Sequence, residues 1–423
     1  MGYNTTTLAC GLRIIHLPSA SPVVYCGYQI AAGTRHEQPG EEGLAHFCEH
    51  VTFKGTRRRT ALQVINALES VGGELNAFTN KEDTTFYAAV MKTHAAEAID
   101  LLTDIVFCSQ YPQAEIDKEV EVICDEIESY NDSPAELIYD EFENLLFGGH
   151  PLGHSILGTA ERLRSFTTAD ALRFTQRFYR PKNAIFFAYG DLDFQKLVKK
   201  VERELRLALA TLPAVSATLS AAPATPTKPV IPASPIPSAS SPAHVVRQLN
   251  THQAHVMMGT QAYNIHHPRR IALFLLNNIL GGPGLNSRLN LLLREKHGLV
   301  YTVESTMASY SDAGIWAVYF GCDPNDEPRC RRLVRHELDK LMQKPLSQTA
   351  LATAKQQIKG QLAIACDSRE QFALDFGKSF LHYGWEKDLE NLFRKIDAIT
   401  VEELYEVANE LFMADRMTTL IFK

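Results

Sequence analysis

The sequence has no long apolar run, no excess of basic residues and no closely spaced pair of cysteines, and each absence excludes a class of protein. No stretch approaches the roughly 18 apolar residues that cross a bilayer, so we expect no membrane-spanning helix. Lysine and arginine number 42 against 49 aspartates and glutamates, a net charge of −7, which argues against a nucleic-acid partner. The eight cysteines form no CxxC motif, and the N-terminal residues lack the basic and apolar regions of a signal peptide. We therefore predict a cytoplasmic protein with reduced thiols.

The composition that is present is typical of a folded protein, with 45% apolar and 22% charged residues. At 423 residues the chain is too long for a single ordinary core, which predicts two or three domains. One segment departs from this composition, because residues 213–242 contain 8 Pro, 7 Ala and 6 Ser. Proline fixes φ and removes a hydrogen-bond donor, so this segment favours an extended, solvated chain. We predict a linker at 211–245 between an N-terminal domain at 1–210 and a C-terminal domain at 246–423.

The two predicted domains end in a similar pattern. Residues 167–187 read as a helix, an aromatic residue, a short turn and a β-rich strand, and residues 400–422 repeat this order. Aligning Phe178 with Phe412 gives an offset of 234 residues (412 − 178). We interpret the repeat as a sign that the two domains are related by duplication.

Predicted strands and helices are clustered and do not alternate strictly. The first domain has two predicted strand pairs, at 11–16 with 22–31 and at 74–79 with 84–91. Its helical periodicity covers 60–71, 93–107, 113–130 and 194–208. The second domain has predicted strands at 253–261, 300–307 and 313–321, with helices between 326 and 412. This clustering predicts an α+β fold in which each domain is an antiparallel sheet with helices packed on it.

The segment Gly43–Thr56, GLAHFCEHVTFKGT, contains the pattern H-x-x-E-H. At about 100° per residue, a helix places on one face His46, Glu49, His50 and Phe53. The opposite face is apolar and consists of Leu44, Phe47, Cys48 and Val51. Two histidines at i and i+4 can share one Zn²⁺, and Glu49 can hold the attacking water without being a ligand. Cys48 points away from the histidines, which predicts a packed thiol.

A catalytic zinc needs a third protein ligand and an open position, and the acidic helix predicted at 115–130 offers candidates for the ligand. Its apolar stripe is Ile116, Val120, Ile123 and Ile127. Glu119 and Glu126 lie roughly 60–80° to one side of that stripe, at a half-buried boundary. Being seven residues apart, they stack on one flank, so one can ligate while the other orients the site. Periodicity alone does not choose between them.

These patterns resemble those of the inverted-zincin metallopeptidases, the family of pitrilysin, insulin-degrading enzyme and the mitochondrial processing peptidase. The resemblance starts from GLAHFCEH followed by FKGT, with an acidic helix further on. Matching motifs continue along the chain: SPVV (21–24), GTRHE (33–37), GGELNAFTNKEDTTFY (72–87), GGHPLG (148–153), FYRPKN (178–183), LGGPGLNSRL (280–289) and REKHGLVYTV (294–303). They cover nearly the whole chain except the predicted linker.

The resemblance implies roles for four residues that periodicity leaves open. The family places its third ligand 76 residues after the second histidine, which is Glu126 here (126 − 50), with Glu119 as the supporting acid. The family also uses an Arg and a Tyr seven residues apart in its C-terminal half, which match Arg294 and Tyr301. These two would stabilise the oxyanion or hold the substrate backbone.

The resemblance also implies how substrate binds. The strand that contains Asn76, Ala77 and Phe78 would be an edge strand that pairs with an extended peptide. Family members of this size are half of the larger single-chain enzymes, which implies a homodimer or a heterodimer with a related chain.

Together, the motifs and the resemblance predict a zinc-dependent metalloendopeptidase. One Zn²⁺ per chain would be held by His46, His50 and Glu126, and Glu49 would be the general base. The substrate would be an unstructured oligopeptide or a precursor peptide. The alternative is a non-catalytic peptide-binding or assembly subunit of a related complex. Such subunits usually lose the zinc residues, and this sequence contains all of them.

Overall fold

The computed structural model describes residues 2–210, 243–249, 251–384 and 387–423. The chain has an α+β fold with two compact units, each built around one sheet, which confirms the predicted class. The predicted linker at 211–245 lies outside the described residues except for its last three. The first unit draws on the described residues of 1–127, 155–233 and 366–387. The second unit draws on those of 128–154, 234–365 and 388–423.

The first unit is built on a six-stranded sheet with the order β1-β2-β6-β3-β5-β4. Its strands are β1 (Asn4–Thr7), β2 (Arg13–Pro18), β3 (Val23–Ile30), β4 (Glu74–Thr79), β5 (Thr84–Met91) and β6 (Ala184–Gly190). Strands β2 and β6 are parallel, and the other neighbours are antiparallel. The predicted hairpin at 74–79 and 84–91 is confirmed as β4 and β5.

The predicted pairing of 11–16 with 22–31 is wrong, because β6 lies between β2 and β3. The short connection suggested a hairpin, but β6 is buried on both of its faces. Ile185 and Phe187 point to one side of the sheet and Phe186 to the other, all without solvent exposure. A strand that is apolar on both faces is favoured in the interior of a sheet, and it therefore separates the two strands that are adjacent in sequence.

The α-helices of the described residues include the predicted helical segments, and three more that the sequence did not predict, at 134–146, 160–163 and 270–281. They are α1 (Leu44–Thr52), α2 (Ala61–Glu69), α3 (Ala95–Cys108), α4 (Gln113–Asn131), α5 (Pro134–Leu146), α6 (Ala160–Leu163), α7 (Thr168–Phe178), α8 (Phe194–Ala210), α9 (Arg270–Gly281), α10 (Glu327–Gln343), α11 (Gln348–Ala365), α12 (Arg369–Tyr383), α13 (Leu389–Ala398) and α14 (Val401–Leu411). None of these helices combines the length and apolarity needed to cross a bilayer. On one face of the first sheet, α1, α3, α7 and α8 enclose the main core of that unit.

The other face of the first sheet is covered by α12, a helix from far along the chain. Phe372 and Phe376 of α12 pack with Tyr87, Ile185 and Phe187 in a separate apolar cluster. This contact explains why β6 is apolar on both faces. It also means that the described residues of 366–387 belong to the unit that contains α1, although four of the five strands of the second sheet precede them in sequence.

The second unit receives α5 in the same way. Ile138 and Phe142 of α5 pack against strands of the second sheet through Met257, Ala317 and Leu420. The compact units therefore differ from the predicted domains in two helical segments, one from each predicted domain.

The second sheet has the order β7-β11-β8-β10-β9. Its strands are β7 (His244–Arg247), β8 (Ala254–Gln261), β9 (Val300–Ser309), β10 (Gly314–Cys322) and β11 (Thr418–Phe422). The order repeats that of β2-β6-β3-β5-β4, and in each sheet the last strand in sequence runs parallel to the first of the matching set. Each of these last strands follows a helix, α7 before β6 and α14 before β11. The shared topology supports the duplication inferred from the repeat.

The packing of α12 predicts that a residue late in the chain stabilises the first unit. Phe376 is fully buried and its ring lies 5.3 Å from Tyr3, 6.3 Å from Phe187 and 6.2 Å from Tyr189. Phe376→Ala should lower the free energy of unfolding by about 3–5 kcal/mol, because it leaves a cavity under the sheet. Denaturant unfolding measures this change. The control Gln371→Ala, at an exposed position of α12, should stay within about 0.5 kcal/mol. Equal stability of the two variants would contradict the role of α12.

Candidate metal centre

Helix α1 is buried on both of its sides, one apolar and one polar. Leu44, Phe47 and Val51 have no solvent exposure and belong to the main core of the first unit. On the other side, His46 and Glu49 are only 6% and 8% exposed. A helix whose ionisable side chains are this deeply buried needs partners for them, since an unpaired buried charge is costly.

Cys48 lies on the apolar side, as the helical count predicts. Its Sγ is 4.0 Å from the carbonyl oxygen of Ala171, to which the thiol donates. Burial raises the pKa of the Cys48 thiol well above its usual value. The thiol therefore stays protonated and takes no part in the polar cluster.

The start of α1 is held by a carboxylate from the preceding loop. Glu37 accepts hydrogen bonds from the backbone amides of Ala45 at 2.7 Å and Gly43 at 3.0 Å. A carboxylate at this position satisfies free amides and interacts favourably with the helix dipole. Gly43 itself has a φ of 92°, and a Cβ there would lie 2.8 Å from Gly158. These contacts set the direction in which α1 presents its histidines.

The structure brings His46, His50 and Glu126 together. The Nε2 atom of His46 lies 3.8 Å from Oε1 of Glu126, and the Nε2 atom of His50 lies 3.4 Å from Oε2. One ligand atom from each residue falls within 4.8 Å of the others, and no second such group occurs among the described residues. Zinc is held at about 2.0–2.2 Å by His nitrogen and carboxylate oxygen, so its ligand atoms lie roughly 3.3–3.5 Å apart. The donor types and spacing therefore fit a zinc ion.

Glu119 contacts His50 through the ring nitrogen that does not face Glu126. Its Oε1 lies 3.1 Å from Nδ1 of His50, the nitrogen that faces away from Glu126, and its Oε2 lies 2.5 Å from Nζ of Lys54. A carboxylate on the second ring nitrogen sets the tautomer and the orientation of a metal-binding His. The two acids of α4 therefore have different partners: Glu126 contacts the Nε2 atoms of both histidines, and Glu119 contacts Nδ1 of His50. Periodicity alone did not distinguish between Glu119 and Glu126.

Lys54 lies two residues beyond the end of α1. Its contact with Glu119 spans 65 residues (119 − 54), and no local pattern reports a contact of this kind. Burial raises the pKa of Glu119, but its hydrogen bonds with His50 and Lys54 outweigh burial and hold the pKa below its usual value. Glu119 is therefore charged at neutral pH, as the contact with Lys54 requires.

The two histidines differ in their electrostatic surroundings. Burial lowers the pKa of His46 to about 4, so this ring is neutral at pH 7 and offers a lone pair. Burial also acts to lower the pKa of His50, but its hydrogen bonds with Glu119 and Glu126 outweigh burial and raise the pKa to about 9. A hydrogen bond with His50 in turn lowers the pKa of Glu126. A cation bound at Nε2 of His50 takes the place of a proton, so metal uptake releases protons.

Glu49 is close to this cluster but has a different partner. Its Oε2 accepts a hydrogen bond of 2.6 Å from the hydroxyl of Thr79, the last residue of β4. Burial raises the pKa of Glu49. A buried carboxylate with raised proton affinity is the type of group that serves as a general base near neutral pH.

Asn76, Ala77 and Phe78 lie in β4, at the edge of the first sheet. They pair with Tyr87, Phe86 and Thr85 of β5. No described strand pairs with the outer side of β4. The backbone groups of an edge strand can pair with an added extended chain.

Arg294 and Tyr301 belong to the second unit, whereas the residues described so far in this site belong to the first. Arg294 lies in a π-helical segment, Asn290–Lys296, and Tyr301 lies near the start of β9. The structure brings the two together, since the Arg294 guanidinium carbon is 5.5 Å from the centre of the Tyr301 ring. Tyr301 is 81% exposed, so its hydroxyl is accessible to a ligand.

Comparison with known proteins identifies two matching families. The family described as "Insulinase (Peptidase family M16)" matches residues 14–160, and "Peptidase M16 inactive domain" matches residues 165–358. The chain is 33% identical to the uncharacterized zinc protease SCO5738 of Streptomyces coelicolor, covering 96% of this chain and 86% of that protein. It is 31% identical to the uncharacterized zinc protease YmxG of Bacillus subtilis, covering 97% and 96%.

Solved structures show the same fold. The crystal structure of a protease from Helicobacter pylori superimposes with a TM-score of 0.87 at 23% identity, covering 100% of this chain and 99% of that chain. The chain belongs to the M16 peptidase family, which confirms the resemblance to pitrilysin and its relatives. It is a half-size member of this metallopeptidase family, and its relatives from Bacillus subtilis and Streptomyces coelicolor carry the name zinc protease.

The different positions of the two α4 acids predict a ranking of metal affinity. Glu126→Gln should reduce zinc affinity as strongly as His50→Ala, because each change removes one of the three donors that converge here. Glu119→Gln should weaken affinity only about 10–100-fold, because it loosens the orientation of one ring. Competition with a chromophoric chelator measures both. Asp125→Asn, at an exposed site on the same helix, should bind zinc as the wild type does. A larger loss in Glu119→Gln than in Glu126→Gln would reverse the assignment.

Proposed function

We propose that the protein is a zinc-dependent metalloendopeptidase that hydrolyses peptide bonds in unstructured oligopeptides or in a precursor peptide. One Zn²⁺ per chain is held by His46, His50 and Glu126. The observation that carries the proposal is that two imidazole Nε2 atoms and one carboxylate converge. Glu49 is buried on the same helix as the two histidines but is not one of these three donors.

The ion, when bound, lowers the pKa of water and polarises the scissile carbonyl. The chain itself supplies the proton transfers. Glu49 takes a proton from the attacking water at its carboxylate and then passes that proton to the leaving amine. Burial of Glu49 supports this role, because it raises the pKa and so the proton affinity of the carboxylate. Oε2 of Glu49 accepts a hydrogen bond from the Thr79 hydroxyl. No described residue donates a hydrogen bond to Oε1, which is therefore available to a water molecule.

The edge strand β4 binds the substrate backbone. An added strand makes main-chain hydrogen bonds, which do not depend on the identity of the substrate side chains. Only a segment that can adopt an extended conformation fits such an edge. This mode of binding supports unstructured peptides as substrates.

Arg294 and Tyr301 act on the substrate from the second unit. The Tyr301 hydroxyl donates to the oxyanion, and the Arg294 guanidinium beneath the ring keeps the Tyr side chain oriented or binds a substrate carbonyl. The support for this role is their mutual contact and the exposure of Tyr301. The dimer predicted from the resemblance, with a copy of itself or with a related chain, stays a prediction, as does the cytoplasmic location.

The family match in the second part of the chain carries the word inactive in its description, and it covers 165–358. His46, Glu49, His50 and Glu126 all lie in the other match, at 14–160. A non-catalytic subunit has no use for a buried general base beside a metal site. The presence of a buried Glu49 that is hydrogen-bonded to Thr79 therefore favours an enzyme over an assembly subunit.

Replacing Glu49 separates the general base from the ligands. Glu49→Gln should keep close to one zinc per chain and lose turnover of an unstructured peptide by about 10²–10⁴-fold, because an amide cannot accept the proton. Metal content and single-turnover kinetics check this. The control Glu69→Gln, at an exposed position of α2, should behave as the wild type.

Chelation should abolish cleavage by the wild type, and added zinc should restore it. Full activity after verified metal removal would refute the proposal.

The role of the second unit is tested by removing one hydroxyl. Tyr301→Phe should lower kcat by about 10²–10³-fold with unchanged zinc content, as the loss of an oxyanion donor does. Arg294→Ala should lower kcat as well, with a larger change in KM if it binds the substrate backbone. Tyr405→Phe in α14 is the matched control. Unchanged kinetics in both Tyr301→Phe and Arg294→Ala would show that these residues do not act on the substrate.

A further inference from the structure

The hydrogen bond between Thr79 and Glu49 joins the polar face of α1 to the end of an edge strand. The donor and acceptor are 2.6 Å apart, and both residues are only 8% exposed. Among the described residues, no other group donates a hydrogen bond to the Glu49 side chain. A glutamate side chain has several rotatable bonds, so a single hydrogen bond has a large influence on where its carboxylate lies.

Thr79 is itself held in place by the β4–β5 hairpin. It pairs with Thr84, the first residue of β5, directly before the turn. Within the turn, Asn80 donates from its backbone amide to the carbonyl oxygen of Asp83 at 2.8 Å, and from Nδ2 to the Asp83 carboxylate at 2.9 Å. The turn is thus closed by both backbone and side-chain hydrogen bonds.

A buried carboxylate joins this turn to α12. Asp83 is 1% exposed, and its Oδ1 lies 3.1 Å from Nζ of Lys378 and 3.2 Å from Nε2 of His382. Lys378 and His382 both lie in α12, so a helix close to the end of the chain holds the hairpin that carries Thr79. A buried carboxylate with two cationic or donating partners is strongly constrained, because leaving it unpaired is costly.

A second buried ion pair joins the turn to the loop before α1. Nη1 of Arg35 lies 2.8 Å from Oε1 of Glu82, and the Arg35 side chain is fully buried. The backbone amide of Arg35 also donates to the carbonyl oxygen of Lys81 at 2.8 Å. The turn is therefore clamped by contacts with the loop before α1 and with α12, which makes it a rigid support.

We propose that Thr79 is a positioning residue for the general base, and that the clamped turn 80–83 is the support from which its hydroxyl orients the Glu49 carboxylate toward the attacking water. The inference rests on the proposed function. Proton transfer requires the base within about 2.6–3.2 Å of the proton that it takes, and a displacement of about 1 Å can cost 10²-fold in rate. The hydroxyl on Oε2 leaves the other carboxylate oxygen for the water.

The test removes the hydroxyl without changing the shape of the side chain. Thr79→Val should lower kcat for an unstructured peptide about 10–100-fold, with KM and zinc content unchanged. Thr79→Ser keeps the hydroxyl and should recover kcat to within about threefold of the wild type. These ratios follow the usual effect of groups that orient a catalytic residue. Thr79→Ala, which also lacks the hydroxyl, should match Thr79→Val and serves if the valine variant does not fold.

Thr85 provides the matched control. It is a fully buried threonine opposite Phe78 in the same hairpin, and its hydroxyl has no hydrogen-bond partner in the structure. Thr85→Val makes the same chemical change two residues beyond the turn without touching Glu49, and its kcat should equal that of the wild type.

Three results would overturn the inference: wild-type kcat in Thr79→Val, equal impairment in Thr79→Ser and Thr79→Val, or a loss of zinc in Thr79→Val that accounts for the lost activity. The second would mean that shape matters and the hydroxyl does not. The third would mean that Thr79 supports the metal helix and not the base. A wild-type protein that binds zinc but cleaves no peptide would instead refute the proposed function, which keeps the two failures distinct.

Discussion

The contact between α1 and α4 is the constraint on which the first unit and its candidate metal centre depend. Helix α1 has its apolar side in the core and its polar side also buried, so its histidines need partners that only a neighbouring element can supply. Glu126 meets the Nε2 atoms of both histidines, and Glu119 meets Nδ1 of His50. Because burial of these groups is favourable only when they are paired, the same contact stabilises the unit and brings together a group of residues that could hold a metal ion.

The helix of the second unit that matches α1 lacks the residues of this site. The second sheet repeats the strand order of the first, and α9 follows β8 as α1 follows β3. Helix α9 reads RIALFLLNNILG and contains neither histidine nor glutamate. Its Asn277 instead accepts from the indole of Trp316 at 3.0 Å, and its Nδ2 donates to the Ser305 carbonyl oxygen at 3.0 Å. The equivalent helix is thus hydrogen-bonded to its own sheet, while the segment before β9 contains Arg294 and β9 contains Tyr301.

Much of this could be predicted from the sequence, because helical periodicity and hairpin signals are local. The α+β class, the β4–β5 hairpin and the side of α1 on which Cys48 lies all follow from residues close together in the chain. The neighbour of β2 was predicted wrongly, because the position of β6 depends on covering both of its faces. The exchange of α5 and α12 between units has no local signal either. Lys54 and Thr79 were missed for the same reason, since each acts on a residue 65 or 30 positions away.

The central claim is that His46, His50 and Glu126 bind one zinc ion while Glu49 stays outside its coordination. Anomalous diffraction on either side of the zinc absorption edge, from crystals of the purified full-length chain, tests it most directly. We predict one anomalous peak per chain, about 2.0–2.2 Å from Nε2 of both histidines and from a Glu126 oxygen, with Glu119 still on Nδ1 of His50. A peak bonded to Glu49 or Glu119, or no zinc peak between the two histidines, would contradict the account.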